Sequence, residues 1–515
     1  MSDQQQKSGI GRRAMLKATA VAAGTGLALD LFGGKAEAAE PRAKRPLPKK
    51  WDETWDVVVV GSGFAGLAAA AEAAKAGAKV TVLEKMPVYG GNSIINGGEY
   101  NAWTDELHLR EKLKLPDDSK DLHGSDTLKG GDYYGDPKLV EILCRESPKA
   151  LDWMIDEGGL QLREILNRTG GHTAYRTHTC KEGVGRGYTE AERKIAEKAG
   201  VKVRLNHEIT WIWRADVDGP VLGVEVKARG KKLQVKVNRG LVLASGGFSR
   251  DVKMRMAFNP SLVASYNCTN HPGATGETIR FAQAVGADTL HLGFIQLYPY
   301  AEPETGILDA PAVYPFRGPG YGILYVDKKG KRFVNELERR DVVSRAEINT
   351  GMKPTYSIFN AKMAPLMGGT KEEIDAGISK GRFVKADTID ELAGKLGLPA
   401  DTLRETVATH NRYIREKKDP DFAKPITDRM LPLEEGPFYG IAQWPAVHHT
   451  MGGLRIDEQA RVIDIWGNPI PKFFAAGEVT GGIHGANRLG GNAGPDAVVF
   501  GRIAGRSAAG AGPAA

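Results

Sequence analysis

Four consecutive valines, Val57 to Val60, run without a polar break into Gly61-Ser62-Gly63-Phe64-Ala65-Gly66. An uninterrupted β-branched run predicts a strand buried on both faces, as in a parallel sheet covered by helices. Ala65 to Ala76 then reads as a helix, and Lys79 to Leu83 as a second strand ending in Glu84. Within this unit Gly61 permits the tight turn, Gly63 lets backbone approach a pyrophosphate, and Gly66 lets the helix pack on the strand. The helix N-terminus beside Ala65 supplies N–H groups and a positive dipole, and Glu84 is placed to accept from ribose hydroxyls. This predicts an α/β fold with a Rossmann-like dinucleotide site, and leaves FAD and NAD both open.

At 515 residues the chain is long enough for two packed domains. A hydrophobic fraction of 41% and a charged fraction of 26% argue against disorder and against a membrane bundle. The formal charge of +7 is scattered, with no basic block interleaved with aromatics, so no nucleic-acid partner is expected. Cys144, Cys180 and Cys268 are odd in number and far apart, and build no disulfide framework, metal site or CxxCH haem site.

Arg12-Arg13 precede a weakly apolar stretch ending near Leu31 and then Ala36-Glu37-Ala38. That order predicts a twin-arginine signal over residues 1–38, hence periplasmic export of a folded holoprotein. The apolar stretch is too short to span a bilayer, and residues 39–50 read as a Pro- and Lys-rich linker.

Further Gly-rich segments follow: Gly90-Gly91-Asn92-Ser93 after Glu84-Lys85, Asn96-Gly97-Gly98, Gly246-Gly247-Phe248 after a buried strand at Leu241, and Gly273-Ala274-Thr275-Gly276. Near the C-terminus stand His448-His449-Thr450-Met451-Gly452-Gly453, Gly477-Glu478 and Asn487-Arg488-Leu489-Gly490-Gly491-Asn492-Ala493, and between them Asn335-Glu336 with Arg340-Asp341. Together these resemble the FAD-dependent flavoproteins of the fumarate reductase and succinate dehydrogenase family, most closely the soluble flavocytochrome c-type reductases, from about Trp55 to Gly505. The resemblance implies non-covalent FAD. It places Gly91, Asn92, Ser93, Gly97, Gly98, Gly246, Gly247, Thr275, Gly276, Gly490, Gly491, Asn492 and Ala493 near the cofactor. Lys85 belongs with them, His449 lies beside the flavin pyrimidine, and Glu478 accepts the ribityl hydroxyls next to Gly477.

In that family hydride passes from flavin N5 to the β-carbon of an α,β-unsaturated carboxylate while an arginine protonates the α-carbon. Arg340 resembles that acid, the alternative being a surface pair with Arg339; His448 and Arg488 resemble the carboxylate clamp. The residues that hold a second carboxylate in fumarate reductases are replaced, by Tyr298 in Gln296-Leu297-Tyr298 and by Val313 in Val313-Tyr314-Pro315-Phe316-Arg317. Losing both polar partners implies a monocarboxylate with an apolar or aromatic tail, of the methacrylate, urocanate or cinnamate type. Tyr314 stands where a relay glutamate is usual and Arg317 is kept, so re-protonation of Arg340 is left open among Tyr314, water and Asp341.

The expected architecture is an FAD-binding domain in two parts, 51–293 and 448–510, with an α+β capping domain, 294–447, inserted between them. The strands near Val201 to Leu205, Glu208 to Arg214 and Val221 to Val237 read as an antiparallel extension. Electrons are expected from a separate cytochrome c or quinol-oxidising donor. A dehydrogenase working in the oxidative direction, or a non-catalytic electron-transfer subunit, is the alternative.

Overall fold

Strand β1, Glu53–Val60, sits at the centre of the largest sheet, and its valines are sealed on both faces. Strand β2, Val80–Leu83, runs parallel to it with Val57 opposite Val80 and Val60 opposite Leu83. Between them helix α1, Phe64–Lys75, begins at Gly63 and is buried from Phe64 through Ala73. On the other side of β1, strand β3, Lys231–Leu243, pairs in parallel, with Val60 opposite Leu243, and Pro469–Ala475 extends the sheet beyond it. The computed structural model describes residues 45–511, so the twin-arginine segment lies outside the described residues.

The antiparallel extension is a hairpin of His207–Arg214 and Val221–Ala228, turned onto β3 at Arg229-Gly230. The segment near Val203 departs from that expectation. Val203–Arg204 pairs in parallel with β2, because the helix Arg186–Lys198 returns the chain to the same sheet end, as a right-handed crossover requires.

A second hydrophobic core is built mainly from residues between Tyr298 and Ala446. It contains strand β4, Ile295–Ala301, helix α2, Arg340–Asn349, and strand β5, Phe438–Thr450. β4 and β5 pair antiparallel with Gln296 opposite His449 and Tyr298 opposite Ala446. β5 is continuous across 447/448, so one strand leaves the second core and delivers His448 and His449 to the first sheet's cleft. Leu109, Leu115, Leu166 and Tyr175 also pack into this second core. The helices Ile389–Leu396 and Ala400–Glu416 are separated at Gly397, whose φ of +68° ends the first of them.

Helix α3, Ala493–Ala508, closes the chain against α1. The contact is close because it is made by small residues: a Cβ on Gly505 would clash with the Ala69 carbonyl oxygen.

Candidate active site

One cavity extends from the turn after β1 to the buried end of Arg340. Gly61, Gly63 and Ala65 line its nucleotide end, where Gly61 adopts a φ of +103°. Gly66 stands one layer back, against the Gly61 carbonyl, so that α1 seats on the turn. Glu84 faces the cavity and accepts from Ser62 N at 3.1 Å, Ser62 Oγ at 2.6 Å and Met86 N at 2.9 Å. These bonds fix the carboxylate where a ribose would meet it.

Gly91, Asn92, Ser93 and Gly97 form the adjoining wall. Ser93 Oγ accepts from Phe64 N at 2.9 Å, and Asn92 Oδ1 accepts from His271 N at 2.9 Å. Gly98 lies off the cavity, held at φ +73° against Val184. Lys85 lines the wall, and its Nζ is anchored by Thr275 Oγ1 at 2.8 Å and by Glu277. Thr275 therefore acts through Lys85, and Gly276 packs on Phe248 rather than reaching the cavity.

Gly246 and Gly91 line the cavity at φ +76° and +49°, and a Cβ on either would meet no protein atom within 4 Å. The wall is thus kept bare where a ligand's phosphates and ring would pass, and the residues present fit a dinucleotide. Gly247 instead packs against Glu478 and Thr450. Glu478, beside Gly477, accepts from Thr450 N at 3.0 Å, and burial pushes its carboxyl above the usual range.

The Gly490–Asn492 loop is held from beneath by a buried polar network. Asn101 Nδ2 donates to Gly490 O and to Asn492 Oδ1, both at 2.7 Å. His172 Nε2 contacts Gly490 O at 2.9 Å, and His123 Nε2 contacts Asn492 Oδ1 at 3.0 Å. Gly490 and Asn492 are therefore supports, and Gly491 and Ala493 are the ones that line the cavity. Asn101, His123 and His172 carry no signal in the local sequence, because their partners lie more than 300 residues away.

At the far end stand Tyr298, Arg340, His448, His449 and Arg488. Arg339 turns outward to Asp132 and Asp341, whereas Arg340 turns inward and is buried. Arg340 opens α2, and the positive end of a helix favours loss of its proton. Burial lowers its proton affinity further. Burial and the neighbouring Arg340 charge push Arg488 down as well.

Both guanidiniums donate to one neutral acceptor, Gln296 Oε1, Arg340 Nη1 at 3.3 Å and Arg488 Nη2 at 2.9 Å. Gln296 is held by its own amide, which donates to Asn487 Oδ1 and to the Arg488 carbonyl. Neither Nε has a partner. Burial, with both arginine charges, holds His448 well below the usual imidazole range, so it is neutral. Its Nδ1 lies 2.7 Å from Thr269 Oγ1. His449 is held down by burial and by Arg488.

Tyr298 lies under Arg340, its ring centroid 4.8 Å from the guanidinium carbon and 4.9 Å from the His448 ring. Its hydroxyl donates to the Ala312 carbonyl at 2.8 Å. Phe316 flanks Arg340 on another side at 4.7 Å. Tyr314 is not brought to the cavity. In the short helix Val313–Arg317 its ring stacks on Phe359 and its hydroxyl faces Glu373 at 3.5 Å. Arg317 is also behind the wall, where it pairs with Glu99, a cavity residue that the sequence reading did not single out.

A model of the FAD binding domain family matches residues 56–493. The chain belongs to that family. FAD is its cofactor, and the protein is an FAD-dependent oxidoreductase of the fumarate reductase flavoprotein group. It is 38% identical over 479 residues to a fumarate reductase (cytochrome) of Shewanella frigidimarina, covering 92% of this chain and 81% of that protein. It is 34% identical to the acrylate reductase flavoprotein subunit of Shewanella woodyi, covering 96% and 98% of the two chains. The solved open conformation of a flavocytochrome c3 fumarate reductase superposes with a TM-score of 0.69 at 31% identity, over 98% of this chain and 83% of that one. Among the described residues no helix is long and apolar enough to cross a membrane.

Proposed function

We propose that this FAD enzyme reduces the C=C bond of an α,β-unsaturated monocarboxylate. The observation that carries the reading is the pair of buried arginines. Among the described residues neither Arg340 nor Arg488 forms an ion pair; each lines the end of the cofactor cavity and has a buried, unpartnered Nε. Two desolvated guanidiniums 
with one neutral acceptor between them are poorly compensated until an anion arrives. A planar carboxylate answers both Arg488 and the neutral His448.

FAD bound along the cleft supplies, once reduced, the hydride that adds to the β-carbon. Arg488 and His448 hold the carboxylate and draw charge from the double bond, which makes the β-carbon more electrophilic. Arg340 gives an N–H proton to the α-carbon, and the cavity's apolar rings keep competing water away. The 294–447 segment, which carries Arg340, acts as the cap that closes this site.

The single-carboxylate preference is supported by what lines the remaining wall. Tyr298 has its hydroxyl committed and Leu308 is apolar, so neither offers a second carboxylate a partner. The acrylate reductase flavoprotein subunit, a relative named for a monocarboxylate, aligns over 96% of this chain. Export through Arg12-Arg13 and electrons from a separate cytochrome c or quinol-oxidising donor complete the proposal. The test is reoxidation of the dithionite-reduced holoprotein by a panel of unsaturated mono- and dicarboxylates. Monocarboxylates should reoxidise it faster than fumarate; a preference for fumarate would overturn the assignment of substrate class.

A further inference from the structure

We propose that Glu99 is the acid that returns a proton to Arg340 after each turnover. The inference rests on Arg340 being the proton donor. Having given up a proton, Arg340 is a neutral guanidine in a buried site, and the next turnover needs that N–H restored.

The groups around it leave few sources. Tyr298 has its hydroxyl bonded to the Ala312 carbonyl, and burial raises its proton affinity further. His448 is already neutral, and Arg488 serves the carboxylate. Asp341 faces Arg339 on the outer side, and the Tyr314 hydroxyl faces Glu373. Glu99 remains: it lines the same cavity as Arg340, from the short strand Glu99–Asn101.

Glu99 is placed as a carboxyl that can change state. Arg317 Nε donates to its Oε1 at 2.9 Å, and Arg317 in turn donates to the Gly97 carbonyl at 3.0 Å. Burial raises its proton affinity, while the charges of Arg317, Arg340 and Arg163 oppose that rise. When Arg340 loses its charge, one of the positive charges opposing protonation is gone, and Glu99 holds a proton more firmly.

Polar side chains lie between this carboxyl and the surface. The Arg317 guanidinium reaches the Gly183 carbonyl at 3.5 Å. The Arg163 side chain lies against Gly183 and pairs with Glu373 at 2.7 Å, and both of these side chains are partly exposed. A proton from solvent is taken up at Glu99, forming O–H. That bond then breaks as N–H forms on Arg340, the proton crossing the cavity both groups line by way of an intervening water. The carboxylate is left charged, paired with Arg317 and sharing the cavity with Arg340, and no electrons move in the step.

The test compares the first turnover with the steady state in holoenzyme carrying Glu99→Gln or Glu99→Asp. The dithionite-reduced protein is mixed with one equivalent of the best enoate, and steady turnover is then driven by a reduced dye. Arg340 begins charged, so the Gln variant should complete its first turnover within about threefold of the parent. Its steady-state kcat should fall about 10²-fold, with KM unchanged and with Asp recovering most of the loss. If Gln prevents folding by stranding Arg317, the double variant Glu99→Gln with Arg317→Met removes both charges and should show the same split.

Equal steady-state rates, an equal loss in both phases, or a rise in KM alone would each overturn the relay. The last would make Glu99 a contact for the substrate tail. A parent flavin that no enoate reoxidises would overturn the proposed function itself, whereas a working parent matched by Glu99→Gln overturns Glu99 alone.

Discussion

Arg340 and Arg488 reach the same oxygen, Gln296 Oε1, at 3.3 and 2.9 Å, and so the second core and the C-terminal loop of the first sheet meet at one atom. A neutral amide orients both guanidiniums without cancelling their charge. Gln296→Glu should therefore occupy the anion site with a built-in carboxylate. KM for the enoate is expected to rise by at least about tenfold, with FAD content unchanged, as read from steady-state kinetics on the holoprotein.

Arg340 and Arg488 should separate in kinetics because one acts on the reacting carbon and the other on the bound carboxylate. Arg340→Ala is expected to lower turnover by about 10²-fold or more at near-normal carboxylate binding. Arg488→Lys should weaken binding as well, since an ammonium cannot reproduce a bidentate fork. Flavin perturbation by a non-reactive carboxylate measures the binding, and reoxidation of the reduced flavin measures the turnover.

Much of this site was legible because its chemistry is written in contiguous motifs. Val57 to Glu84 folds as a local unit, and its strand register follows from an unbroken apolar run. Arg340, His448 and Arg488 were legible as motif residues, although only burial distinguishes Arg340 from its neighbour Arg339. Tyr314 was misplaced because a substitution in a motif does not say where the new side chain points. One helical turn sends its ring toward Phe359. Asn101, His123, Gln296 and Glu99 were not assigned roles because theirs come from partners far away in sequence. The Val203 strand was misread because alternation of residues does not distinguish a parallel edge from an antiparallel one.

Glu347 lies on α2 and is fully buried. Its Oε1 accepts from Thr355 at 2.6 Å and from Gln443 at 2.8 Å, while Oε2 has no partner. Burial pushes its carboxyl from 4.5 up to about 8. Between those values the native state holds one more proton than the unfolded state, so stability declines as pH rises from about 4.5 through 8. Glu347→Gln should remove that contribution. The variant is expected to lose less stability than the parent as pH rises from about 4.5 to about 8, measured by urea unfolding of the holoprotein.

Gly246 tests the cofactor cleft without touching the substrate end. A Cβ there meets no protein atom within 4 Å but enters the cavity wall at a φ of +76°. Gly246→Ala should cost about 1–2 kcal/mol in backbone strain and leave the chain folded. FAD content should fall well below one per chain, as read from flavin absorbance and from FAD released on heat denaturation. Full FAD occupancy would show that the cofactor does not pass this wall.

The proposed reaction depends on a carboxylate being what the buried arginines await. The most direct measurement compares an unsaturated acid with its own primary amide as oxidant of the dithionite-reduced holoprotein, followed by stopped flow. The two share the double bond and the tail, and differ in the charge and in the one acceptor oxygen that the amide replaces by an N–H donor toward Arg488, His448 and Arg340. The acid is expected to reoxidise the flavin at least about 10²-fold faster, the scale for leaving a buried charge unpaired. Equal rates for acid and amide would contradict the account.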